Sequence, residues 1–117
     1  MSVGTMTPPS ATYIVKGAPA SPGVGRGKVV IITDPSQNDL LKQGDVLVTE
    51  MTTPDFVPAM KRAAAILTDK GGRTCHAAIV SRELGVACIV GAKMATQVFK
   101  DGDMVEVDAI NGIVRKI

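Results

Sequence analysis

The sequence predicts one α/β domain whose mostly parallel α/β layer carries an added β layer or partial barrel. Between residues 36 and 90 the order is helix, strand, helix, strand, helix, strand, which favours parallel strands joined by helices. Both ends of the chain are strand-like, so they are expected to supply the added β structure. A chain of 117 residues is long enough for one hydrophobic core and too short for several.

Composition fits closely packed layers. Hydrophobic residues make up 45% of the chain, but aromatic residues only 3%, and tryptophan is absent. The core must therefore be built from Val, Ile, Leu, Ala and Met. Residues 1–10 are small and polar and are expected to form a flexible leader, with the domain itself spanning 11–117.

The first predicted elements are strands at 11–16 and 28–33. The glycine-rich segment 20–27 between them lacks both the Gly-x-Gly-x-x-Gly and the Walker lysine pattern of phosphate-binding loops. We interpret it as a turn. A short helix is then expected from 34 to Gly44, with Leu40 and Leu41 packed inward.

The middle of the chain alternates buried strands with helices. Strands are predicted at 45–50 and 65–68, each rich in apolar or β-branched residues. Thr53 followed by Pro54 and an acidic residue is typical of a helix start. The residues of that helix expected to face inward are Phe56, Val57, Met60 and Ala64.

A glycine loop at 69–73 leads into the next predicted helix, for which Thr74 is the expected N-cap and Gly85 the stop. The positions of that helix expected to face inward are Ala77, Val80, Ser81 and Leu84. Further on, the sequence predicts a strand at 87–90, a helical turn at 94–99, and strands at 104–108 and 112–117 joined by a bend.

His76, the only histidine, falls in the first turn of that helix. The first N–H groups of a helix have no partner within it and favour an anion, and the same field favours the neutral imidazole. A neutral imidazole beside an anion site has the basic features of a phosphoryl acceptor. The alternative is a helix-terminal histidine that makes one hydrogen bond, with glycines that only turn the chain.

The segment Gly-Gly-Arg-Thr-Cys-His-Ala-Ala-Ile at 71–79, followed by Arg-Glu-Leu-Gly and an apolar run, resembles the phosphohistidine segment of the phosphoenolpyruvate-utilising enzymes. Cysteine at position 75 is most similar to the phosphoenolpyruvate synthase (pyruvate, water dikinase) branch. Enzyme I of the sugar phosphotransferase system and pyruvate phosphate dikinase usually carry serine there. The resemblance implies a swivelling β/β/α mobile domain.

The resemblance also implies roles for residues around the histidine. His76 would carry the phosphoryl group on Nε2, and Thr74 would bind the phosphate or tune the imidazole, if it is not simply the N-cap. Because loops at the carboxyl ends of parallel strands share one rim, Thr52 or Thr53 is expected near the phosphate. The further candidates are Gly72, Arg73 and Cys75, for which turn, solvated and redox roles stay open as alternatives.

In this family the mobile domain would relay phosphate between an ATP site and a pyruvate or phosphoenolpyruvate site. The implied partners are an ATP-grasp-type nucleotide-binding domain and a substrate-binding barrel, where Mg²⁺ and ATP would bind; no cofactor is expected in this domain. Neither partner fits in 117 residues, so we expect an excised domain or a stand-alone subunit that does not turn over alone. The alternatives are a non-catalytic interaction or regulatory module, a non-covalent anion binder, or a related dikinase or phosphotransferase branch.

Other function classes find little support in the sequence. The net charge of +2 is mild, and the basic residues form no stripe that would indicate nucleic-acid binding. No segment approaches the roughly 20 apolar residues of a membrane span, and no signal peptide is evident. Cys75 and Cys88 lack metal-ligand spacing, and one histidine argues against a zinc site. We therefore expect a cytoplasmic protein.

Overall fold

The computed structural model describes residues 14–117, so the predicted leader and the first three residues of the first predicted strand lie outside the described part. Within it, a 3-10 helix (Pro35–Leu40) and a 3-10 turn (Pro54–Phe56) accompany the regular elements. The strands are β1 (Ile14–Lys16), β2 (Ala18–Ser21), β3 (Val24–Ile31), β4 (Val46–Thr49), β5 (Ala65–Thr68), β6 (Ala87–Val90), β7 (Met104–Asp108) and β8 (Ile113–Lys116). The helices are α1 (Val57–Arg62), α2 (His76–Leu84) and α3 (Ala95–Val98).

All eight strands belong to one sheet with the order β1-β8-β7-β3-β4-β5-β6-β2. Strands β3, β4, β5 and β6 run parallel, and the remaining neighbours pair antiparallel. The two edge strands β1 and β2 are separated in the chain only by Gly17, so the sheet must curve until its edges approach each other. Gly17 N–H donates to the Gly112 carbonyl (3.0 Å), which extends the antiparallel pairing of β1 with β8 by one residue. The prediction of an α/β domain with an added β layer from the chain ends is confirmed.

Strands β4, β5 and β6 are buried on both faces, as expected when other elements cover each side of a sheet. Because successive side chains alternate between faces, each strand contributes to two separate cores. The inner core lies within the curved sheet and is closed by α3; it includes Val46, Val48, Leu67, Ile89, Phe99, Val105 and Val107. The outer core lies between the sheet and the other helices; it includes Leu41, Leu47, Phe56, Met60, Ile66, Ala77 and Ala78.

The prediction of a turn across 20–27 is wrong, because this segment forms the end of β2 and the first half of β3. Its glycines serve a tertiary contact instead. A Cβ atom at Gly25 would clash with the Ala64 carbonyl oxygen, and one at Gly27 would clash with that of Gly44. The glycines therefore let neighbouring backbone approach β3 closely, and the chain turns at Gly23, where φ is +142°.

The expected inward packing of Leu40 is also wrong. Leu40 ends the 3-10 helix with 59% of its surface exposed, whereas Leu41 is fully buried. Leu41 has already left the helix and adopts an extended conformation, so the two consecutive side chains point in different directions. Ala64 lies beyond the end of α1 and is only half-buried.

The strands predicted at 65–68, 87–90 and 104–108 are confirmed with the same bounds. The helical turn predicted at 94–99 forms over Ala95–Val98. No helix within residues 14–117 combines the length and the apolar character needed to cross a membrane.

Candidate functional site

The loops that follow β4 and β5 meet at the carboxyl edge of the parallel strands. Thr49 and Thr68, the last residues of β4 and β5, lie opposite each other in the sheet register. Just beyond them, Asp69 N–H donates to the Thr49 carbonyl (3.1 Å) and Lys70 N–H donates to the Glu50 carbonyl (2.9 Å). The loops that start at residues 50 and 69 therefore leave the sheet side by side, on the shared rim that the sequence predicts.

The glycine loop folds back tightly before α2 begins. Gly71 has φ of +108°, and a Cβ atom there would lie 2.7 Å from Cys75 Sγ. Gly91, in the loop after β6, is also close to this loop, since its Cβ would lie 3.1 Å from the Gly71 carbonyl oxygen. Gly72 differs: no atom lies within 4 Å of where its Cβ would stand, so its main chain is open to a ligand.

The N-cap of α2 is Cys75 and not Thr74, so the prediction for Thr74 is wrong by one residue. Cys75 N–H donates to the Gly72 carbonyl (3.1 Å), which places Thr74 inside a turn with its side chain exposed. The first bond within the helix runs from Ile79 N–H to the Cys75 carbonyl (3.0 Å). The N–H groups of the three residues from 76 to 78 thus have no partner within the helix and can face an anion. The helix ends at Gly85 with φ of +71°, as predicted.

Thr52 contacts the histidine directly. Its Oγ1 lies 2.7 Å from Nδ1 of His76, and only 4% of the Thr52 surface is exposed. A hydroxyl can donate to or accept from this nitrogen, depending on the tautomer of the ring. With Nδ1 engaged, Nε2 is the nitrogen available to a ligand. The neighbouring Thr53 precedes the 3-10 turn and makes no side-chain cap, and the structure does not bring it to the histidine.

A cavity of about 270 Å³ opens beside His76. It is lined by Met51, Thr52, Lys70, Gly71, Cys75, His76 and Ala77. The sequence does not identify Met51 and Lys70 as candidates. Each lies two residues beyond the end of a strand, and that position alone does not distinguish a functional residue from an ordinary loop residue. Lys70 Nζ lies 3.1 Å from Glu50 Oε2, but both side chains are exposed, so the pair adds little stability.

Other predicted residues lie outside this cavity or are held by structural contacts. Arg73 is exposed and takes part in no ion pair within residues 14–117. Arg82 donates from Nε to the Ala20 carbonyl (2.7 Å) and so ties α2 to β2. Cys88 is fully buried, and burial raises the pKa of its thiol to about 11. The described residues contain no cluster of three metal-ligating side chains.

A model of the family described as PEP-utilising enzyme, mobile domain, matches residues 41–112. A probable phosphoenolpyruvate synthase of Pyrococcus abyssi is 63% identical over 106 residues, which are 91% of this chain and 13% of the relative. The phosphoenolpyruvate synthase of Pyrococcus furiosus is 62% identical with the same coverage. The chain therefore spans about an eighth of the length of these relatives.

Among solved structures, an Enzyme I protein studied by NMR is 37% identical, with a TM-score of 0.58. The match covers 68% of this chain and 32% of that one. The fold of about two thirds of this chain therefore has a counterpart of known structure.

Proposed function

The chain belongs to the mobile-domain family of the phosphoenolpyruvate-utilising enzymes, and from that premise we propose that it is a phosphoryl carrier of the phosphoenolpyruvate synthase type. In this proposal Nε2 of His76 accepts a phosphoryl group at an ATP site and delivers it to pyruvate at a second site, or runs the reverse sequence. Both sites belong to other domains or subunits. The names of the relatives support the choice of substrates. The geometry at the carboxyl edge of the parallel strands supports His76 as the phosphoryl acceptor.

The observation that carries the proposal is the hydrogen bond between Thr52 Oγ1 and His76 Nδ1 beside an open cavity. When Nδ1–H donates to the threonine oxygen, the lone pair of Nε2 is free to attack phosphorus. A helix-terminal histidine with a purely structural role would also make one hydrogen bond, so it is this bond together with the open cavity beside the ring that favours a phosphoryl acceptor. The nearby unpaired N–H groups at the start of α2 add donors for phosphoryl oxygens.

In the transfer step, the Nε2 lone pair forms a bond to phosphorus while the bond from phosphorus to the leaving oxygen breaks. The leaving oxygen keeps the electron pair of that bond. The ring gains positive charge, and the hydrogen bond from Nδ1–H to Thr52 stabilises that charge as it develops. Transfer to the second substrate repeats these changes in reverse, which divides one difficult reaction into two easier steps.

The residues near His76 do not fit a magnesium site. The described part of the chain holds no cluster of carboxylates, and the Asp69 carboxylate is engaged by Thr96. We therefore assign Mg²⁺, together with ATP, to an ATP-grasp-type partner domain, and pyruvate to a barrel-type partner. Gly72 would let the phosphoryl group approach the main chain. Arg73 and Thr74 are exposed and close to His76 in sequence, so they are candidates to contact the phosphoryl group or a partner.

The test is the intact mass of the chain after incubation with a phosphoenolpyruvate synthase whose own phosphohistidine has been replaced, plus Mg²⁺ and either ATP or phosphoenolpyruvate. We expect the gain of one phosphate that survives alkali and is lost in mild acid. His76→Ala should gain none. Glu83→Gln, an exposed change at the far end of the same helix, should label like the unaltered chain.

If the unaltered chain gains no phosphate even with partner domains from its own source, the carrier proposal is wrong. A binding or regulatory module would then be the better account. Labelling that persists in His76→Ala would also contradict it, because the phosphate would then reside on another side chain.

A further inference from the structure

Asp69 occupies a junction at the base of the glycine loop. Its Oδ1 accepts the Thr96 N–H (3.0 Å), and its Oδ2 accepts the Thr96 hydroxyl. Thr96 is the second residue of α3, and the N–H groups of a helix start lack partners within the helix. The carboxylate therefore joins the end of β5 to the first turn of α3.

The main chain of Asp69 is held as firmly as its side chain. Its N–H donates to the Thr49 carbonyl (3.1 Å), and its carbonyl accepts the Lys93 N–H (2.9 Å). Lys93 has φ of +70°, which non-glycine residues rarely adopt. One residue thus links the ends of two strands to the loop after β6 and to α3.

These contacts bear on both partners of the hydrogen bond in the site. Thr49, which binds Asp69, is three residues before Thr52, and Asp69 itself is seven residues before His76. The connecting loop is tightly packed, since a Cβ atom at Gly71 would lie only 2.7 Å from Cys75 Sγ, beside His76. A shift of Asp69 would therefore change the distance between the threonine hydroxyl and the imidazole.

We propose that Asp69 and Thr96 are positioning residues that hold the imidazole of His76 within hydrogen-bond distance of the Thr52 hydroxyl. This inference rests on the proposed function, because it gives the pair a role in phosphoryl transfer without any contact to the phosphoryl group. A misplacement of reacting groups by about 1 Å can slow a reaction about a hundredfold, so such a pair has a clear kinetic purpose.

The test compares Thr96→Val, which keeps the side-chain volume and the backbone N–H, with Thr96→Ser, which keeps the hydroxyl. We expect His76 to be phosphorylated about tenfold more slowly in Thr96→Val and in Asp69→Ala. Thr96→Ser and Asp69→Asn, which retain hydrogen-bonding groups, should restore most of the rate. The concentration of the partner enzyme that gives half the maximal rate should be unchanged, because the proposed role of Asp69 and Thr96 involves no contact with the partner.

A second readout does not depend on phosphorylation. The chain has one histidine, so the imidazole nitrogens can be followed by ¹H–¹⁵N correlation spectra without ambiguity. At about pH 8.5, where an ordinary imidazole is neutral, we expect one dominant tautomer in the unaltered chain and in Thr96→Ser. Thr96→Val should show a mixture of tautomers.

Unchanged rate and unchanged imidazole spectra in folded Thr96→Val would overturn the positioning role. If Asp69→Ala fails to fold, the Thr96 pair of variants still decides the question. If the unaltered chain accepts no phosphate, the carrier proposal fails, while the spectra still report whether Asp69 and Thr96 hold the imidazole.

Discussion

At the residue scale, Thr52 Oγ1 lies 2.7 Å from Nδ1 of His76 and fixes which nitrogen faces a ligand. Thr52→Val keeps the buried volume but removes the hydroxyl, so the imidazole loses its orienting partner. We expect phosphorylation of His76 to slow about tenfold, with little change in melting temperature. Thr52→Ser should retain most of the rate in the same mass assay. Equal rates for the valine and serine variants would contradict this role.

The two cysteines should differ sharply in reactivity. Cys75 lines the cavity, whereas Cys88 is fully buried, and burial raises the pKa of its thiol to about 11. At pH 8 only about a thousandth of such a thiol is ionised, and the thiolate is the reactive form. Brief treatment of the folded protein with iodoacetamide should therefore modify Cys75 alone. Peptide mapping that finds Cys88 modified to the same extent would contradict the prediction, and Cys75→Ser should remain competent for phosphorylation.

The sequence alone leads to His76, because glycine, a helix start and a lone histidine all occur within one short segment. It leaves open whether Thr52 or Thr53 lies beside the ring, since that depends on how β4 leaves the sheet. The sequence predicts the N-cap one residue too early, because threonine is a better capping residue than cysteine. In the structure, the bond from Cys75 N–H to the Gly72 carbonyl overrides this preference.

At the element scale, the glycine loop offers a matched pair of positions for substitution. Gly71 has φ of +108° and no room for a Cβ, whereas Gly72 has open space around it. Gly71→Ala should lower the free energy of unfolding by about 1–3 kcal/mol, because alanine is strained in that conformation. Gly72→Ala should change it by no more than about 0.5 kcal/mol. Urea denaturation of both variants measures the difference, and equal losses would show that the loop conformation is not the cause.

The elements that the sequence predicts correctly are those that depend on local pattern and not on contacts between distant parts of the chain. Strands β5, β6 and β7 are short apolar or alternating runs between breakers, and local pattern is enough to place them. The segment 20–27 is wrongly predicted as a turn, because Gly25 and Gly27 are typical turn residues in sequence. Their purpose is the close approach of distant backbone at Ala64 and Gly44, and no local pattern reveals contacts of that kind.

At the scale of the whole molecule, the curved sheet keeps the site on a rigid base. The loops that carry Thr52 and His76 grow from neighbouring parallel strands whose side chains fill two cores. The carrier function that we propose would require the acceptor to be presented in the same geometry at two separate sites. Placing the histidine on a helix packed against a doubly buried sheet meets that requirement better than a free loop would.

The antiparallel part of the sheet gives the fold a dependence on pH that can be tested apart from the site. Glu106, on β7, accepts hydrogen bonds from Arg26 Nε (2.7 Å) and Arg115 Nε (3.1 Å). These bonds, chiefly the one from Arg26, hold the pKa of the Glu106 carboxyl below its usual range.

Because the folded-state pKa lies below the unfolded value, the unfolded chain binds more protons in the interval between them. The stabilisation from Glu106 is therefore complete above about pH 5 and is lost as the pH falls through the folded-state pKa.

We expect the urea midpoint of the unaltered chain to fall between pH 7 and pH 3. In Glu106→Gln the midpoint at pH 7 should be lower and its fall on acidification smaller, because the titrating group is gone. Glu83→Gln, an exposed change outside this network, should follow the unaltered chain at both values. If Glu106→Gln loses as much stability on acidification as the unaltered chain, the acid sensitivity of the fold must arise from other carboxylates.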